Sequence, residues 1–173
     1  MLDVNDANKT KILAISDTHF SRREEALEYL EFLQSFEFNA LVHAGDFTSR
    51  ECYLTLKEFC EENGVEFLAV RGNCDRFDLQ EIGVLEFPGL RLAAKHEPLM
   101  DDFSDLYYLA RELEADVLVF GHIHRFVVCS SAPLIFCPGA VKNGQFARLE
   151  VSESLVLRFF RGGEEVDSAV FER

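Results

Sequence analysis

Seven residues of metal-ligand type lie in five short motifs of this chain, and each motif follows an apolar run. They are Asp17 and His19 in S-D-T-H, Asp46 in A-G-D, Asn73 in R-G-N-C-D, His96 in A-K-H, and His122 and His124 in G-H-I-H. Carboxylate, imidazole and amide oxygen without thiolate suit Mn²⁺, Fe²⁺, Ni²⁺, Co²⁺ or Zn²⁺ in open coordination. A closed structural zinc site would more often use cysteine. Seven such ligands suffice for two divalent cations that share a carboxylate. Two such ions bring four positive charges and Asp17 with Asp46 cancels two, leaving room for a bridging hydroxide and one phosphodiester anion.

Each motif alone is a weak signal, because D-x-H and G-D are common in turns and a lone histidine is commonly a surface group. The reading rests on their conjunction and order. Four of the five histidines fall in these motifs. The fifth, His43, stands three residues before Asp46 and reads as a structural or outer-layer partner of the ligands.

The elements that must position these residues are legible from periodicity. Lys11 to Ser16, Ala40 to His43 and Val65 to Val70 read as strands. Between them, 22–36 and 50–63 have helical spacing, with Ala26, Leu27, Leu30 and Leu33 on one buried face and Leu56, Phe59 and Cys60 on the other helix. Asn63-Gly64 supplies a helix stop. This β-α-β-α-β order predicts a parallel sheet with right-handed crossovers, whose ligand site lies beyond the carboxyl ends of the strands. Residues 84–87 and 90–94 flank Pro88-Gly89 as a hairpin. Leu106, Leu109, Ala110 and Leu113 mark a third helix before the strand 117–120, and five short strands follow from 126 to 170. The i, i+2 spacing of D-x-H and H-x-H lets both side chains point one way from an extended segment. Gly45, Gly72 and Gly121 precede ligands, where the chain must turn sharply or approach an ion closely.

Composition bounds the partners. The chain has 173 residues and a formal net charge of −14, with 48% hydrophobic and 28% charged residues. Such a field repels long nucleic acid, and no basic stripe offsets it, so a nuclease is disfavoured. No apolar run is long enough to span a membrane. Residues 1–10 read as a polar extension and 11–173 as a single domain. Five cysteines without a C-x-x-C pair, and no secretory leader, predict reduced thiols in the cytoplasm. Cys52, Cys60, Cys129 and Cys137 read as small buried hydrophobes.

The ordered set D-T-H, G-D, G-N-C-D, K-H and G-H-I-H resembles the calcineurin-like metallophosphoesterase superfamily. Its small bacterial and archaeal phosphodiesterase branch, which also includes the scaffold subunit of the retromer complex, is the part it looks most like. The resemblance runs from about Lys11 to about Arg161. It implies an α/β fold, a four-layer α-β-β-α sandwich of two mixed β-sheets flanked by helices. It also implies that Asp17, His19 and His124 hold one metal, that Asn73, His96 and His122 hold the second, and that Asp46 bridges them. Asp75 matches an aspartate just outside the ligand set. Cys74 stands where many larger members carry a histidine thought to protonate the leaving group; a buried small residue is the reading preferred to a catalytic one. Two departures bear on substrate. Glu97 follows His96 where the family usually has glycine, and it could narrow the pocket, repel an anionic substrate or point outward. Cys137-Pro138-Gly139-Ala140 replaces N-P-G-S.

The implied activity is metal-assisted hydrolysis of a small phosphate ester, more specifically a diester. A metal-bridging hydroxide attacks phosphorus, and Asn73 and His96 help stabilise the phosphoryl charge. Arg125, next to His124, is a candidate phosphate contact against the commoner reading as a surface arginine. The alternative is a catalytically weak, metal-binding interaction scaffold of the same fold. A homodimer or homotetramer is in keeping with the resemblance.

Overall fold

The computed structural model describes residues 9–173. Most of the polar extension expected over 1–10 therefore lies outside the described residues. The chain forms β1 (Thr10–Ile15), α1 (Arg23–Leu33), β2 (Ala40–His43), α2 (Arg50–Glu62), β3 (Glu66–Ala69), β4 (Ile82–Phe87), β5 (Leu90–Lys95), α3 (Ser104–Glu112), β6 (Val117–Phe120), β7 (Phe126–Ser131), β8 (Leu134–Pro138), β9 (Gln145–Val151), β10 (Ser154–Arg161) and β11 (Glu164–Glu172). A 3₁₀ turn at Val141–Asn143, unforeseen from the sequence, precedes β9.

One sheet has the order β11-β10-β9-β1-β2-β3 and the other β4-β5-β6-β8-β7. The β1-β2-β3 core is parallel, and β9 returns antiparallel against β1. In the second sheet β5, β6 and β8 are parallel, flanked by the antiparallel strands β4 and β7. Both sheets are mixed, as expected.

Strand alternation makes the layers. Ile12 and Ala14 of β1 point into the cluster between the two sheets, with Val119, Phe136, Leu149 and Leu157. Leu13 and Ile15 point the other way, beneath α1 and α2, with Leu30, Leu33, Leu56 and Phe146. Leu106 and Ala110 of α3 cover the outer face of the second sheet over Leu118, Phe120 and Ile135. The result is helix, sheet, sheet, helix. Each fully buried leucine or phenylalanine of these clusters stabilises the fold by about 1.5–3 kcal/mol.

Three local expectations change. Leu27 is exposed; the buried face of α1 is Ala26, Leu30 and Leu33, with Tyr29 and Phe32 packed against it. Helix α1 stops at Leu33 rather than at 36, where the backbone tightens into i−3 bonds (Ser35 N to Phe32 O at 3.2 Å, Phe36 N to Leu33 O at 2.9 Å) and the Ser35 hydroxyl also donates to the Phe32 carbonyl at 2.7 Å. Phe36 then turns back to meet Phe146 and Phe160, with ring centroids 5.0 and 5.3 Å away. Cys52, Cys60 and Cys137 are buried as expected, while Cys129 is only half-buried; all five cysteines are free. Helix α2 starts on Ser49, whose hydroxyl accepts from Cys52 N, and ends at Asn63-Gly64, as the sequence predicts.

Candidate metal centre

The carboxyl ends of β1, β2 and β3 meet those of β5 and β6 along one rim. Backbone bonds lace the loops together there: Asp17 N to Gly45 O at 2.9 Å, His19 N to Asp46 O at 3.1 Å, and Gly121 N to His96 O at 2.9 Å. All seven predicted ligand residues stand on these loops, and their donor atoms converge.

Around Asp17 the two carboxylate oxygens have different tasks. Oδ2 accepts from the Ser16 hydroxyl at 2.6 Å and from His122 N at 3.1 Å. Oδ1 is left to face His124 Nε2 at 2.8 Å and His19 Nε2 at 3.8 Å. Asp46 divides its oxygens in the same way. Oδ1 accepts the Cys74 amide at 2.8 Å, and Oδ2 stands between His19 Nε2 at 3.6 Å and His96 Nε2 at 3.4 Å. On the far side, Asn73 Oδ1 lies 3.0 Å from His96 Nε2 and 3.2 Å from His122 Nδ1. Asp46 is therefore the group common to two neighbouring donor clusters.

These donors fit cations. His96 Nδ1 lies 2.7 Å from the Ala44 carbonyl, which can only accept, so Nδ1 keeps its proton and the neutral ring turns the Nε2 lone pair toward the cluster. His19 Nδ1 meets the Thr48 hydroxyl at 3.1 Å, while its buried Nε2 has no hydrogen-bond partner. A buried imidazole nitrogen left without a partner is costly unless something else occupies its lone pair. The Asp17, His19 and His124 atoms, and separately those of Asp17, Asp46 and His96, lie within 4.8 Å of one another. Burial works to raise the Asp46 carboxyl, but the His96 contact and the Cys74 amide bond outweigh it and hold the group below the ordinary carboxylate range. Burial also works to lower His96, and Asp46 overcomes it to raise that imidazole. Without a cation, each group leans on the other's charge.

The extended-segment geometry expected for D-x-H and H-x-H is not adopted. Asp17, His19, Asp46, His122 and His124 have φ of 55°, 50°, 63°, 72° and 55°. The side chains converge because the chain turns through the left-handed region at each of them. Such conformations cost about 1–2 kcal/mol per non-glycine residue and concentrate at functional sites.

Of the remaining predicted residues, Asp75 is the most connected. Its carboxylate accepts Asp46 N at 2.9 Å, Gly72 N at 2.8 Å and Thr48 N at 2.8 Å, fastening the second and third loops together. His43 is buried and stacked on Phe47 with 3.5 Å between ring centroids. Its Nδ1 accepts Gly45 N at 3.1 Å, so Nε2 carries the proton and donates to the Thr18 hydroxyl at 3.1 Å. Cys74 is not the buried core residue the sequence suggested. It is half-buried, and its sulfur lies among the His19 and Asp46 donor atoms. The Arg125 side chain is exposed, and among the described residues it joins none of the hydrogen bonds around the seven. Ser16, Thr18 and Thr48 are site residues that the sequence reading does not single out; Ser16 and Thr18 flank Asp17 in S-D-T-H, so adjacency is the signal that marks them, and Thr48 has none.

His43 gives a prediction independent of any metal. Burial, and then the neighbouring His96, hold it well below its ordinary value of 6.5. The unfolded chain therefore binds a proton there before the folded chain does, and His43 contributes stability that is complete above pH 6.5 and lost as pH falls. His43→Phe leaves Gly45 N and the Thr18 hydroxyl without their partner, costing about 1–3 kcal/mol near pH 7.5. In chelator-treated protein the gap between wild type and variant should close below pH 6.5, by at most about 1.4 kcal/mol per pH unit. Urea titrations at several pH values measure it; a gap constant down to pH 5 contradicts the assignment.

The two-sheet sandwich and the histidine, aspartate and asparagine rim define a metallophosphoesterase fold. Residues 10–157 match the model of the calcineurin-like phosphoesterase superfamily domain, and the chain belongs to that superfamily. A probable metallophosphoesterase of Methanothermobacter thermautotrophicus is 30% identical over 162 residues, covering 90% of this chain and 88% of that protein. A probable metallophosphoesterase of Methanocaldococcus jannaschii is 30% identical over 113 residues, 64% of this chain but only 56% of that protein's length. Among solved structures, a predicted phosphoesterase of Streptococcus pneumoniae superposes with a TM-score of 0.77 at 24% identity, covering 95% of this chain and 98% of that one. Vacuolar protein sorting 29 of Cryptosporidium parvum superposes at 0.75 with 20% identity, covering 95% and 99%. No described helix is long and apolar enough to cross a membrane.

Proposed function

We propose that the chain hydrolyses small phosphate esters, diesters foremost, at two divalent cations. Asp17, His19 and His124 hold one, Asn73, His96 and His122 the other, and Asp46 touches both. The observation that carries this reading is the position of Asp46 Oδ2 between His19 Nε2 and His96 Nε2. A cation pair supplies a hydroxide nucleophile at neutral pH and draws charge from the phosphoryl oxygens. The chain's own work is to fix the donors. Ser16 and the His122 amide turn Asp17 Oδ1 inward, Ala44 sets the His96 tautomer, and Asp75 pins the Asp46 and Asn73 loops. Manganese is the proposed metal, with iron, nickel, cobalt and zinc as competitors. Residues 11–173 act as one domain in the cytoplasm, as a homodimer or homotetramer.

Cys74 is the group nearest to a general acid. Burial first, and then Asp46, push its thiol upward, which keeps its proton from a leaving group. Esters with good leaving groups, and diesters, should therefore react fastest. Cys74→Ala should keep kcat within about fivefold, since a working general acid contributes about 10²–10⁴-fold. A loss above 100-fold in a folded variant would assign Cys74 to catalysis.

The direct test is hydrolysis of bis(p-nitrophenyl) phosphate by chelator-treated protein with and without added Mn²⁺. Manganese-dependent turnover supports the enzyme. Manganese binding without turnover supports an interaction scaffold, the alternative with which the fold shared with vacuolar protein sorting 29 and exposed Leu99, Met100 and Tyr108 are compatible.

A further inference from the structure

Glu97 follows His96 directly, and its carboxylate faces the outer edge of another proposed ligand. Glu97 Oε1 lies 3.5 Å from His122 Nε2, while the opposite nitrogen of that ring, Nδ1, faces Asn73 Oδ1 at 3.2 Å. The imidazole thus separates a negative charge from the second donor cluster by one ring width. The Glu97 side chain is 51% exposed, at the mouth of the site rather than inside it. Among the described residues no lysine or arginine lies within 4.0 Å of it; His122 is its partner. The loop is also held. Pro98 confines Glu97 to extended backbone. Asp105 accepts Leu99 N at 2.8 Å and Met100 N at 3.1 Å, and Lys95 lies 3.7 Å from the same carboxylate. A carboxylate with no neighbouring cation but the His122 ring thus stands on a held loop at the edge of the donor clusters.

We infer that Glu97 is a charge-selecting residue: it admits singly charged phosphodiesters and disfavours doubly charged phosphate monoesters at the rim beside His122. This rests on the phosphoesterase reading for its substrate class, but the charge discrimination itself is a binding property. A monoester dianion carries one more negative charge than a diester and meets one more unit of repulsion. At a half-exposed site that repulsion is worth about tenfold in affinity, and it shrinks as salt screens it.

Two variants separate charge from contact. Glu97→Gln keeps an oxygen acceptor for His122 Nε2 and removes the charge, while Glu97→Gly removes both. With manganese-saturated protein at low salt, at a pH where inorganic phosphate is a dianion, calorimetry should show it binding about 100-fold more tightly to Glu97→Gln than to wild type, about tenfold for each charge, and the gain should largely vanish near 0.5 M salt. The ratio of kcat/KM for bis(p-nitrophenyl) phosphate to that for p-nitrophenyl phosphate should fall about tenfold in the same variant. Glu97→Gly should show the same loss of discrimination, with weaker manganese binding added, by about 10–100-fold. Unchanged phosphate affinity in Glu97→Gln, or a change indifferent to salt, overturns the inference. If neither ester is hydrolysed, the phosphoesterase reading fails and phosphate affinity still decides the role of Glu97. Brisk diester hydrolysis with an unchanged ratio in Glu97→Gln leaves the enzyme standing and removes only this proposal.

Discussion

Asp46→Asn should abolish manganese-dependent hydrolysis, lowering kcat/KM by more than about 10³-fold, beyond the loss typical of a single transition-state donor. The substitution is nearly isosteric. The introduced side-chain amide retains an oxygen for the Cys74 N–H, and the backbone N–H at this position stays with Asp75, so the loop has its hydrogen bonds. What disappears is the second oxygen and its charge, the one position between His19 and His96. Both donor clusters lose the same group at once. Manganese affinity should fall at both positions by more than about 100-fold, exceeding the effect of removing an outer partner. Calorimetric titration of the folded variant measures this. Loss of one ion with the other retained would place Asp46 in a single cluster, and near-wild-type turnover would remove it from the site.

The second large effect comes from a residue with no side chain. An added Cβ at Gly72 would collide with Asp46 Oδ1 and the Asp46 amide nitrogen, and would lie 2.8 Å from the Asp46 Cγ. These are the backbone and carboxylate that the site is built around, so nothing flexible is available to yield. Gly72→Ala should destabilise the protein by about 3 kcal/mol or more, at the upper end of overpacking costs, and should cut manganese affinity as Asp46 is displaced. Gly64 is the control. It ends α2 at φ +66°, and a methyl group added there would meet nothing within 4 Å. Gly64→Ala should therefore cost only about 1 kcal/mol of backbone strain and leave manganese binding alone. Thermal denaturation with and without manganese separates the two. Equal effects at Gly72 and Gly64 would mean that proximity to Asp46 is irrelevant.

These contrasts show where the sequence is readable and where it is not. The unbroken apolar run in Lys11 to Ser16 and the helical spacing in 50–63 report burial, which is a local pattern, and so the bounds of β1 and α2 agree with it to within a residue or so. The clustering of ligand types after apolar runs is equally plain, because parallel strands deliver their following loops to one rim. The turn conformations are hidden. D-T-H and H-I-H do not fix left-handed backbone at Asp17, His19, His122 and His124: aspartate and histidine enter that region more readily than most side chains, but only a minority of them do, and the surrounding bonds decide which. The purpose of Gly72 and Gly121 is half visible. Close approach is foreseeable, but what they approach is protein: Asp46 at Gly72, and Ser16, the Ala44 carbonyl and His96 at Gly121. The partners Thr18 and Thr48 lie far from their histidines in the chain, at positions that only the folded sheet brings together. Leu27 misleads because helical spacing gives the width of an apolar stripe but not its edge.

Anomalous scattering from crystals grown in manganese tests most directly whether a pair of cations is joined through Asp46. The expected result is two peaks about 3.5–4 Å apart, one against Asp17, His19 and His124, the other against Asn73, His96 and His122, with Asp46 in contact with both. A single peak remote from Asp46, or none in a crystal saturated with manganese, would contradict it.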